Sequence, residues 1–457
     1  MMREMRVLSP TAILGYGFPI SSFEAGLEKE PDVIAVDGGS IDPGPYYLGS
    51  GKSFTDRIAV KRDLESILKA GVERNIPVIV GTAGGSGATP HLNWCVEIVR
   101  EIVEEANLTC KLAVIPAQVD KEFLKAQIAE DNVKVLEPGI SLSVEEIQKS
   151  THIVGQIGVE PIIKALEEEA QVIIAGRAYD PTVFAALPIK EGFDKGLALH
   201  MGKILECASI AAIPGSGSDC MIAYLREDHF LLEPLNPTRK CTTTSVAAHT
   251  LYEKSNPYIL PGPGGYLDLH ETKFEQYSET TVKVSGSKYI KEHPYTIKLE
   301  GAKPIGYRTV SIAGARDPIF IKEIDQIVEG VRERVADNFR TIESNYELFF
   351  TIYGKNGVMG ELEPEKMNPT EIGIIIEAVA DREDLANTIC SFARSTMLHF
   401  GYPGRVSTAG NLAFPYSPSD LEAGVVYQFN VHHLLEVDDP YHLFPIKVEM
   451  IGGRTND

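Results

Sequence analysis

Residues 76–107 read IPVIVGTAGGSGATPHLNWCVEIVREIVEEAN, and this stretch decides the fold. The apolar run 76–80 has the length of a strand, and its lack of alternation fits a strand covered on both faces. A glycine-rich loop follows, then an amphipathic helix over 91–107. Working outward, the same unit recurs. Residues 31–39 (PDVIAVDGG) read as a strand and 56–75 as a helix with Ile58, Leu64, Ile67 and Leu68 on one face. A strand over 111–119, a helix over 121–131 and a short strand over 133–138 come next. A long helical region over 143–170 then leads into the strand 171–181 (QVIIAGRAYDP). Strands alternating with helices of this length predict parallel βαβ units. Near 211–220 (AAIPGSGSDC) the pattern changes, and later strands alternate polar with apolar, as antiparallel strands do. The expected fold class is α/β, with an N-terminal parallel-sheet α/β domain over 1–217 and a C-terminal α+β domain over 218–457.

Composition narrows the partners. The chain has 457 residues, 44% of them hydrophobic, enough for two or three cored domains. Lys plus Arg total 43 against 64 Asp plus Glu, a net charge of −21 that argues against a nucleic-acid partner. No apolar run approaches the roughly 20 residues needed to span a bilayer, and the N-terminus has no secretory pattern. The expected location is the cytoplasm, with no membrane association. Six scattered cysteines form no C-x-x-C pair, so a thiol zinc site or a disulfide framework is not expected.

Ligands of open parallel sheets bind beyond the carboxyl ends of the strands. Those ends carry Asp37, Ser40, Asp42 and Tyr46 after one strand, and Thr82, Gly84, Gly85, Ser86, Gly87 and His91 after the next. Arg177 and Asp180 follow the last, and AGARDP (313–318) repeats their theme with Arg316. The stretch GSGKS (49–53) resembles the end of a P-loop, but the first required glycine falls at Tyr46, so nucleotide binding through it is not expected. Lys52 and Ser53 at a helix entrance remain a candidate anion cradle. Asp37 or Asp42 fits a general base and His91 or Tyr46 a general acid, with Arg177, Lys52 and the 84–87 amides holding a carboxylate. His432, His433 and His442 offer metal ligands by type. Adjacent strand residues face opposite ways, however, so no metal is assigned there.

LSPTAILGYGFP (8–19), the region 31–54, VIVGTAGGSGATPHLNW (78–94), IIAGRAYDP (173–181) and GYRTVSIAGARDP (306–318) together resemble the acyclic terpene utilisation AtuA-like family. The resemblance runs over most of the chain. It implies a metabolic protein and brings no established catalytic set. Some relatives carry an added small C-terminal domain or a small separate partner, so a partner subunit is one expectation. The leading expectation is a catabolic enzyme acting on a small or CoA-linked carboxylic acid. It is expected to be a lyase of the hydratase or dehydratase kind, oligomeric and without a cofactor. The alternatives are a non-catalytic or co-catalytic subunit requiring that small partner, and a metal-dependent hydrolase.

Overall fold

The computed structural model describes residues 3–136, 138–252, 256–364 and 368–453. The chain divides into two compact units, 1–303 with 429–457, and 304–428. The expected mixed α/β class holds.

The first unit is built on one ten-stranded sheet. Its strands are β1 (Met5–Ser9), β2 (Val33–Asp37), β3 (Val78–Gly81), β4 (Thr109–Ile115), β5 (Val172–Ala175), β6 (Met221–Leu225), β7 (His229–Pro234), β8 (Lys273–Gln276), β9 (Val282–Ser285) and, from the chain's end, Lys447–Gly452. Five of them, in the order β1-β2-β3-β5-β4, run parallel; β6, β7, β9 and β8 extend one edge antiparallel, and Lys447–Gly452 pairs antiparallel with β4 at the other. The change of strand character near 217 therefore lies inside this sheet, because β6 pairs directly with β1. Successive residues of β2 feed opposite cores, Val33 and Ala35 on one side and Ile34 and Val36 on the other. That is why the parallel strands read as unbroken apolar runs.

Helices α1 (Pro45–Ser50), α2 (Arg57–Arg74), α3 (Thr89–Glu105), α4 (Thr182–Lys190) and α5 (Lys195–Leu205) follow strand ends or continue the α/β alternation. Leu64, Ile67 and Leu68 of α2 are fully buried, but Ile58, expected on the same face, is 81% exposed. It sits in the first turn, before the helix meets the core. The expected long helix over 143–170 is three elements: a helix Val144–Lys149, a strand His152–Gly155 and a helix Val159–Glu167. Thr151, Ile153 and Val154 favour a strand, and Gly155 and Gly158 separate it from the next helix.

The strand β10 (Thr296–Ala315) leaves the first unit after Lys303. In the second unit its far half pairs with β12 (Ile372–Ala380), which pairs in turn with β11 (Tyr346–Tyr353). One face of this sheet, through Ala313, Leu348, Ile374 and Ile376, packs against the helices α6 (Ile324–Asn338) and α7 (Glu383–Leu398).

Candidate active site

The register of the parallel strands sets three functional side chains at one sheet edge. Asp37, the last residue of β2, lies level with Gly81 of β3. Thr82 takes a left-handed backbone (φ 44°) at the next position, and its N–H donates to Gly176 O at 2.9 Å. That bond brings the loop after β5 alongside, and with it Arg177.

Arg177 is buried and its guanidinium is engaged through Nε and Nη1. Nε donates to Glu300 Oε2 at 2.7 Å, and Nη1 to Asp180 Oδ1 and to Ala178 O, each at 2.7 Å. Thr82 Oγ1 lies 3.3 Å from the same Nη1. Burial alone would discharge Arg177, but the carboxylates of Glu300 and Asp180 hold its proton more firmly than usual. Glu300 is completely buried. Against the upward pull of that burial, Arg177 and Lys298 (3.1 Å away) hold its carboxyl below the usual range.

Beside this framework stands Asp37, only 6% exposed. Burial first, and then the nearby Asp180 and Glu206, raise its pKa well above the usual carboxylate value; Arg177 and the Gly39 N–H, 3.3 Å away, oppose them only in part. The carboxyl therefore holds its proton to a higher pH than an ordinary carboxylate does. Glu206 closes the group from the end of α5, where it pairs with the buried ammonium of Lys203. Burial pulls the pKa of Lys203 down, and Glu206 more than restores it. Tyr179, at the same strand end, is 92% buried by its 8% exposure, and its hydroxyl has no hydrogen-bond partner among the described residues. The most exposed members of the group are Asp180, whose side chain is 27% exposed, and the half-buried Cys207 beside it. A retained proton among carboxylates and paired cations is the equipment of a general acid–base centre.

The family model for the acyclic terpene utilisation protein AtuA matches residues 52–214 and 234–423. The chain belongs to the acyclic terpene utilisation family. Membership points to a role in acyclic terpene catabolism. The matched residues of this AtuA-family chain include Thr82, Arg177, Asp180, Lys203, Glu206 and Glu300; Asp37 lies before them. No curated protein matches the chain, and neither does any solved structure.

Several expected site residues have other work in this AtuA-family fold. His91 Nε2 stands 3.1 Å from both Tyr47 O and Lys52 O. Two carbonyls can only accept, so Nε2 carries the hydrogen and the ring ties the end of α1 to the start of α3. Burial lowers its pKa to about 4, so it is neutral at pH 7 and fits no acid role. The loop 84–87 is filled by the protein itself. A Cβ on Gly87 would come within 2.0 Å of Arg177 N, and one on Gly85 within 2.6 Å of the Phe54 ring. These glycines permit loop-on-loop packing, with Gly84 against His91. Ser86 is completely buried in the same loop.

GSGKS forms no anion cradle. It spans the end of α1 and the left-handed Gly51, while Lys52 is exposed and Ser53 Oγ lies 3.1 Å from Thr55 Oγ1. The next helix entrance, that of α2, is already occupied by the Asp56 carboxylate, which accepts from the N–H groups of Ile58 and Ala59. Ser40 Oγ and Asp42 Oδ2 are 2.7 Å apart on the outer part of their loop, away from the buried group, and Tyr46 is 37% exposed. Arg316 belongs to the second unit, 3.7 Å from Glu371. His433 Nε2 lies 2.8 Å from Ile140 O, and among the described residues no group of three or more His, Cys, Asp or Glu side chains could hold a metal. Sequence reasoning missed Lys203, Glu206 and Glu300. The signal for the first two was a Lys–Glu pair at i,i+3 in the otherwise apolar run 196–212.

Proposed function

We propose that the chain is a catabolic enzyme that adds or removes water beside the carbonyl of an acyclic terpenoid acid, bound as its CoA thioester. The observation that carries this reading is Asp37, buried among Asp180, Glu206 and Arg177 with its pKa raised by that burial and by the neighbouring carboxylates. In the hydration direction a water oxygen bonds to the β-carbon of an α,β-unsaturated thioester. Asp37 gives its proton to the α-carbon, and the proton lost by the water returns to Asp37 through the adjoining carboxylates. Arg177, fixed by Glu300 and Asp180, positions these groups and does not grip the substrate.

The thioester is favoured over the free acid for an electrostatic reason. Arg177 and Lys203 are both already paired, and three carboxyl groups adjoin the centre. A substrate carboxylate would meet like charge, whereas a thioester is neutral at its reacting end. The test incubates the purified chain with methyl-branched α,β-unsaturated acyl-CoA thioesters in D2O and reads deuterium at the α-carbon. Turnover is expected, and Asp37→Asn is expected to lower it by about 1,000-fold, the scale of a lost general acid–base group. A variant that keeps wild-type turnover contradicts the reading.

A further inference from the structure

Among the described residues, helices α6 and α7 pack against one face of the second unit's sheet. Its other face alternates out of the same strands. Thr351, Ile375 and Ile312 lie level across β11, β12 and β10, and Phe349, Glu377 and Val310 form the neighbouring row. None of these side chains joins the apolar core of the unit. Phe349 is 42% and Tyr353, four residues along on the same face, 47% exposed. Three strands about 4.8 Å apart over eight residues rising about 3.3 Å each give a face of roughly 380 Å², its charged members included. That lies within the range of the largest apolar patch on a typical monomer, which is often functional.

The charges on this face select its occupant. Arg308 Nε donates to Glu377 Oε1 at 2.7 Å, so the middle member of the second row is a carboxylate already held in an ion pair. Glu347 lies in the row of Arg308, separated from it by Val379, and has no ion pair among the described residues. A two-fold axis through the face would bring Arg308 of one copy towards Glu347 of the other. The patch thus carries both signs in a self-complementary pattern, which an isologous dimer requires. Elsewhere two copies of a chain with net charge −21 repel one another, so a nearly neutral apolar face is where they can meet.

We propose that this face joins two copies of the chain, sheet against sheet, with Phe349, Tyr353, Ile375 and Ile312 at its centre and Arg308 and Glu347 meeting across the axis. The remaining area of a standard interface, about 800 Å² per copy, comes from the polar rim around that centre. The edge of β11 is not the contact, because the Arg332 side chain donates to Leu348 O there and lies over the Phe350 ring, 5.1 Å from its centroid.

Sedimentation velocity of the full chain across a hundredfold concentration range tests the proposal. The expected species has twice the chain mass. Ile375→Lys and, independently, Phe349→Glu are expected to weaken self-association by about 100-fold, as the loss of a central apolar anchor does. Both change outward side chains, and circular dichroism checks that each still folds. Arg308→Glu is expected to dissociate the dimer, and Arg308→Glu with Glu347→Arg to recover it. A wild-type monomer throughout overturns the proposal, and so does a dimer that persists in both apolar variants. A monomer that instead binds a different, small protein through this face also overturns it.

Discussion

Asp37 bears a carboxyl that the fold would rather keep neutral, and that preference has a stability consequence. A carboxyl whose folded pKa is raised binds its proton more tightly in the folded than in the unfolded chain. Stability is then greatest below the ordinary carboxylate value and falls as pH rises towards the raised one. Asparagine carries no such penalty. Asp37→Asn should therefore unfold at a higher temperature than the wild type at pH 7–8, with the difference vanishing near pH 4, while losing turnover. Thermal melts across that range check it. His91 runs the other way: its pKa falls from 6.5 to about 4 on folding, so the unfolded chain binds more protons in between. His249, lowered by burial to about 4, and His200, lowered by burial to about 3, add to this. Stability should drop as the medium is acidified from pH 6.5 to 4, by about 3 kcal/mol for His91 alone, and His91→Gln should flatten that slope.

At the level of elements, the strand–loop–helix units were legible because burial on both sides leaves an apolar run with nothing polar to interrupt it. The strand ends were legible too, and Asp37, Arg177, Asp180 and Thr82 do converge there. The work of the loops was not legible. GTAGGSG reads as a ligand cradle because glycine frees the backbone, but the same freedom lets Gly87 press against Arg177 N. Sequence does not distinguish a loop packed on a ligand from a loop packed on another loop. Lys203, Glu206 and Glu300 escaped notice because their meaning comes from partners distant in sequence: Glu300 lies 123 residues from Arg177. Two predictions belong at this scale. Gly87→Ala forces a Cβ into fixed backbone and should abolish soluble folding or cost several kcal/mol, read by expression and denaturant titration. Asp56→Ala removes the α2 cap and should cost about 1 kcal/mol without touching activity.

Over the whole molecule, each unit has a core of its own. The single tryptophan, Trp94, packs against a core of the first unit and so reports on that unit alone. Ile389, completely buried in the core of the second, offers a selective lesion. Ile389→Ala should cost about 3 kcal/mol there. Its denaturant midpoint should fall by far-ultraviolet circular dichroism while the Trp94 fluorescence midpoint stays in place. Among the described residues no helix is long and apolar enough to cross a membrane. In the buried centre the cations Arg177 and Lys203 are paired with carboxylates, and the pKa of Asp37 is raised beside them.

That raised pKa is the central claim, and difference infrared spectroscopy reads it directly. Spectra of the wild type and of Asp37→Asn, recorded in the resting state from pH 5 to 8, isolate the band of this one carboxyl. The account predicts a protonated-carboxyl C=O stretch at pH 7 that is lost in the variant. A difference spectrum showing only an ionised carboxylate at pH 5 and above would contradict it.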